Sequence, residues 1–66
     1  MPWPQDQMPH WVHWIAQDAD GAWWGYEHSP NRGDAGWYEN EVRRIVRLCD
    51  GPPPADWQLT LERVRS

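Results

Sequence analysis

The sequence has little of what usually stabilises a very small domain. Cys49 is the only cysteine in 66 residues, so no disulfide can form within the chain. No pattern of cysteine and histidine resembles a structural zinc site. A domain of this length buries only about 60% of the surface that its unfolded chain exposes. We therefore expect its stability to come from the burial of large apolar side chains.

Lysine and phenylalanine are also absent, and no apolar run is long enough to span a bilayer. We find no signal peptide, and a single free cysteine favours a reducing cytoplasm. The net charge of −4 argues against generic binding to nucleic acids or membranes. The charge is uneven, because residues 1–41 carry seven acidic side chains and one arginine, whereas residues 42–66 carry five arginines and three acidic side chains.

Tryptophan is abundant, with seven in the chain beside two tyrosines. An aromatic side chain can bury ~150–250 Å², which at ~25 cal/mol per Å² is worth roughly 4–6 kcal/mol before entropy is counted. We therefore interpret most of the tryptophans as structural.

A β-hairpin is predicted over Trp11–His28, where two aromatic runs flank the turn signal Asp18-Ala-Asp-Gly21. Asp at the first turn position and Gly at the fourth fit a type I turn that closes a three-residue loop with a bulge. The predicted register places Gln17 opposite Trp23, and Trp14 opposite Tyr26. A helix over the first run, based on the spacing of its apolar residues, is the alternative.

Because side chains alternate across a sheet, the register divides the hairpin into two faces. The more apolar face is assigned to the core together with a residue near the C-terminus: Val12, Trp14, Ala16, Trp24, Tyr26 and Trp57. The opposite face carries Trp11, His13, Ile15, Gln17, Trp23 and Glu27. We expect Trp11, Ile15 and Trp23 to form an exposed aromatic surface unless the C-terminal segment or a second copy covers it.

The predicted architecture is a mainly β domain, with a small α+β fold as the alternative. We expect an extended N-terminal arm over residues 1–9 and one domain over residues 10–64. Ser29–Gly36 reads as a loop, and Trp37–Cys49 as a third, edge strand of an antiparallel sheet. In that strand Arg44, Val46 and Leu48 would share one face, and Arg43, Ile45, Arg47 and Cys49 the other.

The C-terminal part begins with Pro52-Pro53-Pro54, a stiff spacer. Asp56–Val64 fits either a strand or a short helix with Asp56 as its N-cap, and we favour a helical turn packed across the sheet.

Two stretches resemble short tryptophan-rich proteins encoded by tailed bacteriophages and prophages. One runs from Trp14 to Glu27, followed by Pro30 and Trp37, with an Asp-x-Asp-Gly turn before Trp and Tyr. The other is the ending Pro-Pro-Ala-Asp-Trp-Gln-Leu-Thr-Leu-Glu-Arg, a Trp-x-x-Thr-Leu tail after a proline-containing linker. The resemblance covers most of residues 10–64, although Glu39–Leu48 is longer and more charged than such proteins would have. It implies a phage-derived accessory protein in a bacterial cytoplasm, and no mechanism.

Catalytic and metal chemistry find little support in the sequence. His10, His13, His28 and Cys49 show no tight ligand spacing, and the Asp18–Gly21 loop is too short for a calcium loop and lacks its closing glutamate. Cys49 has no evident histidine partner, and no carboxylate pair lies in an obvious apolar pocket. We therefore expect neither an enzyme nor a cofactor.

Binding functions remain. The first hypothesis is a protein-interaction module with an unknown partner or with itself, using Trp11, Ile15 and Trp23. The second is single-stranded nucleic-acid binding, with bases stacked on tryptophan and phosphates contacted by Arg43, Arg44 and Arg47; the net acidity disfavours it. Carbohydrate binding on a tryptophan platform has no specific support.

Overall fold

The computed structural model describes residues 8–41 and 43–64, and these residues form two antiparallel sheets. The strands are β1 (Trp14–Gln17), β2 (Ala22–Tyr26), β3 (Asn31–Arg32), β4 (Trp37–Tyr38), β5 (Ile45–Asp50) and β6 (Glu62–Arg63). One sheet has the order β5-β2-β1-β6, and β3 pairs with β4 in the other. A single turn of 3₁₀ helix spans Trp57–Leu59. The mainly β fold class is confirmed.

The first hairpin has the predicted register, with Gln17 opposite Trp23 and Trp14 opposite Tyr26. Gly21 closes its turn at φ +97° and donates its N–H to the Asp18 carbonyl at 2.9 Å. A positive φ carries little steric cost for glycine, which explains its place in the turn motif. The Asp at the first position of such a turn commonly accepts the N–H two residues on, but the Asp18 carboxylate accepts the Trp37 N–H instead. Asp20, rather than Asp18, accepts the N–H two residues on, from Ala22 at 3.0 Å.

The hydrophobic core lies on the face of the hairpin that the sequence predicted to be exposed. Met8, Val12, Ile15 and Trp23 form this core cluster, and each is at most 9% exposed. Before β1 begins, the chain makes a turn in which the Val12 N–H donates to the Pro9 carbonyl at 3.0 Å. This turn interrupts the alternation of side chains, and Val12 therefore belongs to the core cluster. Val12 is buried as predicted, but it packs with Ile15 and Trp23 and not with the face of Trp14, because strand alternation predicts faces only within a continuous strand.

The second face of the hairpin is also covered. Ala16, Tyr26 and Trp57 are buried, whereas Trp14 and Trp24 are half-buried. The indole N–H of Trp37 donates to the Gln17 carbonyl at 3.1 Å. The Trp37 ring also meets that of Trp57 edge to face, with centroids 6.2 Å apart. The hairpin is therefore enclosed on both sides by short segments.

Asp18 links the β3–β4 hairpin to the turn of the first hairpin. Its carboxylate accepts the Trp37 backbone N–H at 2.9 Å, and the Ala19 N–H donates to the Ala35 carbonyl at 3.1 Å. Residues 29–36 were predicted to be a loop, but they contain β3, which pairs Arg32 with Trp37. Two-residue strands give too weak a periodic signal to be read from the sequence.

Strand β5 is the predicted edge strand, but it begins at Ile45 and contains a bulge. Its register with β2 shifts between Trp23 and Trp24, which leaves Leu48 without an opposite residue. Leu48 and Cys49 consequently both pack against the core cluster. Cys49 therefore shares a face with Val46 and Leu48, which corrects the predicted alternation.

The C-terminal segment combines both readings of its sequence. After the 3₁₀ turn, β6 pairs with β1, with Arg63 opposite Trp14, and makes a fourth strand where three were predicted. Asp56 occupies the predicted N-cap position of the 3₁₀ turn, but its side chain makes no capping bond.

The predicted N-terminal arm lies outside the described residues over 1–7, and so does Val42 of the predicted third strand. Met8, which was assigned to the arm, is buried in the core cluster instead.

Gly25 lies close to two valine side chains of the core, which gives a test of the packing. A Cβ atom at this position would lie 2.9 Å from Val12 Cγ1 and 3.3 Å from Val46 Cγ1. We expect Gly25→Ala to lower the free energy of unfolding by about 1–3 kcal/mol through overpacking. Tryptophan fluorescence during urea unfolding measures this loss. The double variant Val12→Ala/Gly25→Ala should lose less stability than the two single losses added together; strictly additive losses would contradict the predicted contact.

Candidate interaction edge on strand β5

The three residues predicted to form an exposed aromatic surface do not form one. Ile15 is 1% exposed, Trp23 is 9% exposed, and Trp11 is half-buried. Val46, Leu48, Cys49 and Val64 also pack against the cluster to which Ile15 and Trp23 belong. Residues of β5 and Met8 cover this face, and the C-terminal segment, which was the predicted cover, contributes Val64. A docking surface must therefore be sought elsewhere on the molecule.

The three arginines of the predicted nucleic-acid site each make an ion pair. Arg43 contacts Glu41 at 3.1 Å, and Arg44 contacts Glu27 at 2.8 Å. Arg47 pairs with Asp50, three residues further along β5. Three positive charges are thus matched by three carboxylates, and the region has no local excess of positive charge. Such an excess is what attracts a phosphate backbone.

Arginines also lie over three of the tryptophan rings. The Arg44 guanidinium carbon is 4.9 Å from the ring centroid of Trp11. Arg47 lies 6.0 Å from the centroid of Trp24, and Arg63 lies 5.7 Å from that of Trp14. These are cation–π distances. The guanidinium groups therefore occupy ring faces on which a nucleobase would have to stack.

The outer edge of β5 is the longest run of unpaired strand in the described part of the chain. This six-residue strand pairs with β2 alone, whereas the other edge strand of the sheet, β6, has two residues. The Arg44 carbonyl accepts the Glu27 N–H at 3.0 Å, and the Gly51 N–H donates to the Gly21 carbonyl at 2.8 Å. Residues 44 and 51 therefore face β2, and alternation on either side of the bulge turns the backbone groups of Ile45, Arg47 and Asp50 outward.

The side chains beside this edge are mixed in character. Ile45 is 47% exposed, which makes it one of three large apolar side chains that the described residues leave exposed, together with Tyr38 and Leu59. Arg47 and Asp50 are exposed as well. Charges and a bulge on an edge strand hinder indiscriminate pairing. The edge is therefore available, but only to a partner that accommodates its charges.

Polar side chains elsewhere in the described part of the chain line an open cleft. An open cleft of about 440 Å³ lies between His28 and Arg43, where Asn31 donates to Asn40 at 3.4 Å. Burial, reinforced by the carboxylates of Asp18 and Glu39, raises the pKa of the Tyr26 phenol far above its usual value. No group of three potential metal ligands occurs among residues 8–41 and 43–64.

The comparisons with known proteins give no family assignment. No protein-family model matches the chain, and no match was found among curated proteins or solved structures. The resemblance to tryptophan-rich phage proteins therefore stays a prediction. In the described residues, no helix has the length and apolar character needed to cross a membrane.

The Arg44–Glu27 pair gives a test of the electrostatics beside the edge. Hydrogen bonds from Arg44 lower the pKa of the Glu27 carboxyl below its ordinary value. Because this pKa is lower in the folded state than in the unfolded state, the ion pair stabilises the fold at a pH above the unfolded-state pKa of Glu27. That stabilisation is lost as the pH falls through the folded-state pKa. We expect Arg44→Gln to raise the pKa of Glu27, as measured by carboxyl-carbon NMR titration. Arg47→Gln is the matched control and should leave Glu27 unaffected; equal effects would contradict the pairing.

Proposed function

We propose that this chain is a small, non-enzymatic protein-interaction module that binds its partner along the outer edge of β5. The observation that carries the proposal is the outward orientation of backbone groups at Ile45, Arg47 and Asp50, which no strand of the described chain pairs. An extended segment can add to such an edge as a further strand. Main-chain hydrogen bonds then supply much of the affinity, and neighbouring side chains supply the specificity.

The remainder of the fold supports an edge rather than a face as the binding surface. Both faces of the β1–β2 hairpin are covered, so the sheet offers no broad aromatic platform. Ile45 supplies a half-exposed apolar side chain in the strand itself, next to the outward backbone. A partner strand would shield this side chain while satisfying the backbone groups beside it.

Single-stranded nucleic-acid binding gains no comparable support. Arg43, Arg44 and Arg47 are paired with carboxylates, and two of them also lie over tryptophan rings. A phosphate backbone would have to displace these carboxylates while approaching a protein of net charge −4. Strand addition requires neither step.

The biological setting is part of the proposal. The resemblance of the Asp18–Gly21 turn and the C-terminal tail to tryptophan-rich phage proteins supports an accessory role in the cytoplasm of a bacterial host. In that setting the partner would be a phage protein, a host protein or a second copy of the chain.

Proline substitution at Ile45 tests the edge directly. The Ile45 N–H faces away from β2, so Ile45→Pro removes a donor from the outer edge while keeping the β2–β5 hydrogen bonds. Ile45→Thr is the matched control, because it removes the apolar side chain but keeps the N–H. Affinity capture from bacterial lysate is read by quantitative mass spectrometry. We expect the threonine variant to retain its partners, and the proline variant to capture at least about tenfold less of them.

The fold of both variants is verified by urea unfolding, which should show similar transitions. Partners retained equally by the proline variant would contradict binding at this edge. Partners lost equally from both variants would assign the contact to the Ile45 side chain instead of the backbone.

A further inference from the structure

Arg47 and Asp50 lie on the same side of β5 although they are three residues apart. Regular alternation would put them on opposite faces. The bulge at Leu48 removes one step of the alternation, and the two side chains consequently meet in an ion pair. The backbone groups of both residues face the outer edge. One basic and one acidic residue are therefore displayed side by side at two outward hydrogen-bonding positions.

We propose that the occupant of this edge is a second copy of the chain, whose β5 pairs antiparallel with the first about a two-fold axis. The inference rests on the proposed function, since it names the partner for that edge. In the pairing, Arg47 lies opposite Asp50 of the second copy, and Asp50 lies opposite Arg47 of that copy. A two-fold interface brings the same patch together twice, so the patch must be complementary to itself. Arg47 and Asp50 satisfy that condition.

The backbone supports the same register. An antiparallel hydrogen-bonded pair exchanges two N–H to carbonyl bonds, so the two reciprocal pairs supply about four bonds. Between them, Leu48 of each copy lies opposite Cys49 of the other. Both residues face the core side of their own strand, so this pairing also matches the faces of the two sheets.

Two other two-fold registers along β5 bring like charges together. A register centred on Arg47 places two arginines opposite each other, and one centred on Ile45 places Arg47 opposite Arg43 of the second copy. Like charges directly opposite each other destabilise a strand pair. The charges that protect this edge from arbitrary strands therefore disfavour these two registers, whereas the register that pairs Arg47 with Asp50 places unlike charges opposite each other twice.

The existing ion pair does not prevent the exchange. The side chains of Arg47 and Asp50 are 56% and 70% exposed, and such a solvated pair contributes little to stability. Each charge can exchange its neighbour for the equivalent residue of the other copy. Two short strands form a small interface, so we expect a reversible dimer with a dissociation constant in the range of about 1 μM to 1 mM.

Charge reversal tests the proposed register. Asp50→Arg places arginines opposite each other in the dimer, and Arg47→Asp places aspartates opposite each other. We expect light scattering and sedimentation to show a concentration-dependent dimer for the wild type and a monomer for each single variant. An equimolar mixture of the two variants should form a heterodimer, because each Arg then meets an Asp across the interface. The double variant Arg47→Asp/Asp50→Arg should regain the homodimer.

Each other result would overturn the inference. A wild type that stays monomeric at about 1 mM excludes the self-pairing, and single variants that dimerise like the wild type exclude this register. The mixture makes the test independent of the intramolecular pair, which both single variants lack. If the wild type is monomeric but Ile45→Pro still abolishes capture, the edge binds another protein and the proposed function stands. If neither effect is seen, both proposals fail.

Discussion

The fold depends on enclosing one short hairpin on both faces. Strands β1 and β2 total nine residues, and they contribute Ile15 and Trp23 to one buried side and Ala16 and Tyr26 to the other. A chain this small cannot build two separate layers from long elements. It instead folds short segments over each face, and the close approach of Val12 to Gly25 shows how tightly one of them packs. Turns, a bulge and a proline linker connect these short segments. They leave few residues for regular strands.

The arginine–tryptophan contacts complete this enclosure at its margins. Trp14 and Trp24 remain half-buried, and guanidinium groups lie over their outer faces. An exposed cation–π contact contributes only about 0.5–1 kcal/mol, but it also shields indole surface that would otherwise promote aggregation. The arginine-rich composition, with no lysine, suits this use because the planar guanidinium stacks on an aromatic ring more favourably than an ammonium group. These arginines thus contribute to the folded structure whether or not a ligand binds.

The sequence was most informative where the signal was local. The Asp18–Gly21 turn predicted the hairpin and its register because each position of a tight turn restricts backbone geometry. The face of the core was assigned wrongly, because the apolar residues of the hairpin alone do not show that β5 packs Leu48 and Cys49 over the side that carries Ile15 and Trp23. The choice between helix and strand for Asp56–Val64 was left open, because Glu62–Arg63 becomes a strand only by pairing with β1. The sequence singled out Arg43, Arg44 and Arg47, but it did not predict the carboxylates with which they pair.

The exposed edge of β5 also results from the small size of the sheet. A four-stranded open sheet has two edges, and here one is reduced to two residues while the other remains six residues long. A bulge and exposed charges usually suffice to protect such an edge. In β5, however, the bulge also brings Arg47 and Asp50 to one side of the strand. The charges that hinder other strands are therefore complementary to the same two charges on a second copy. Protection against arbitrary strands and recognition of one strand are therefore compatible, because both depend on where Arg47 and Asp50 lie along the outward backbone.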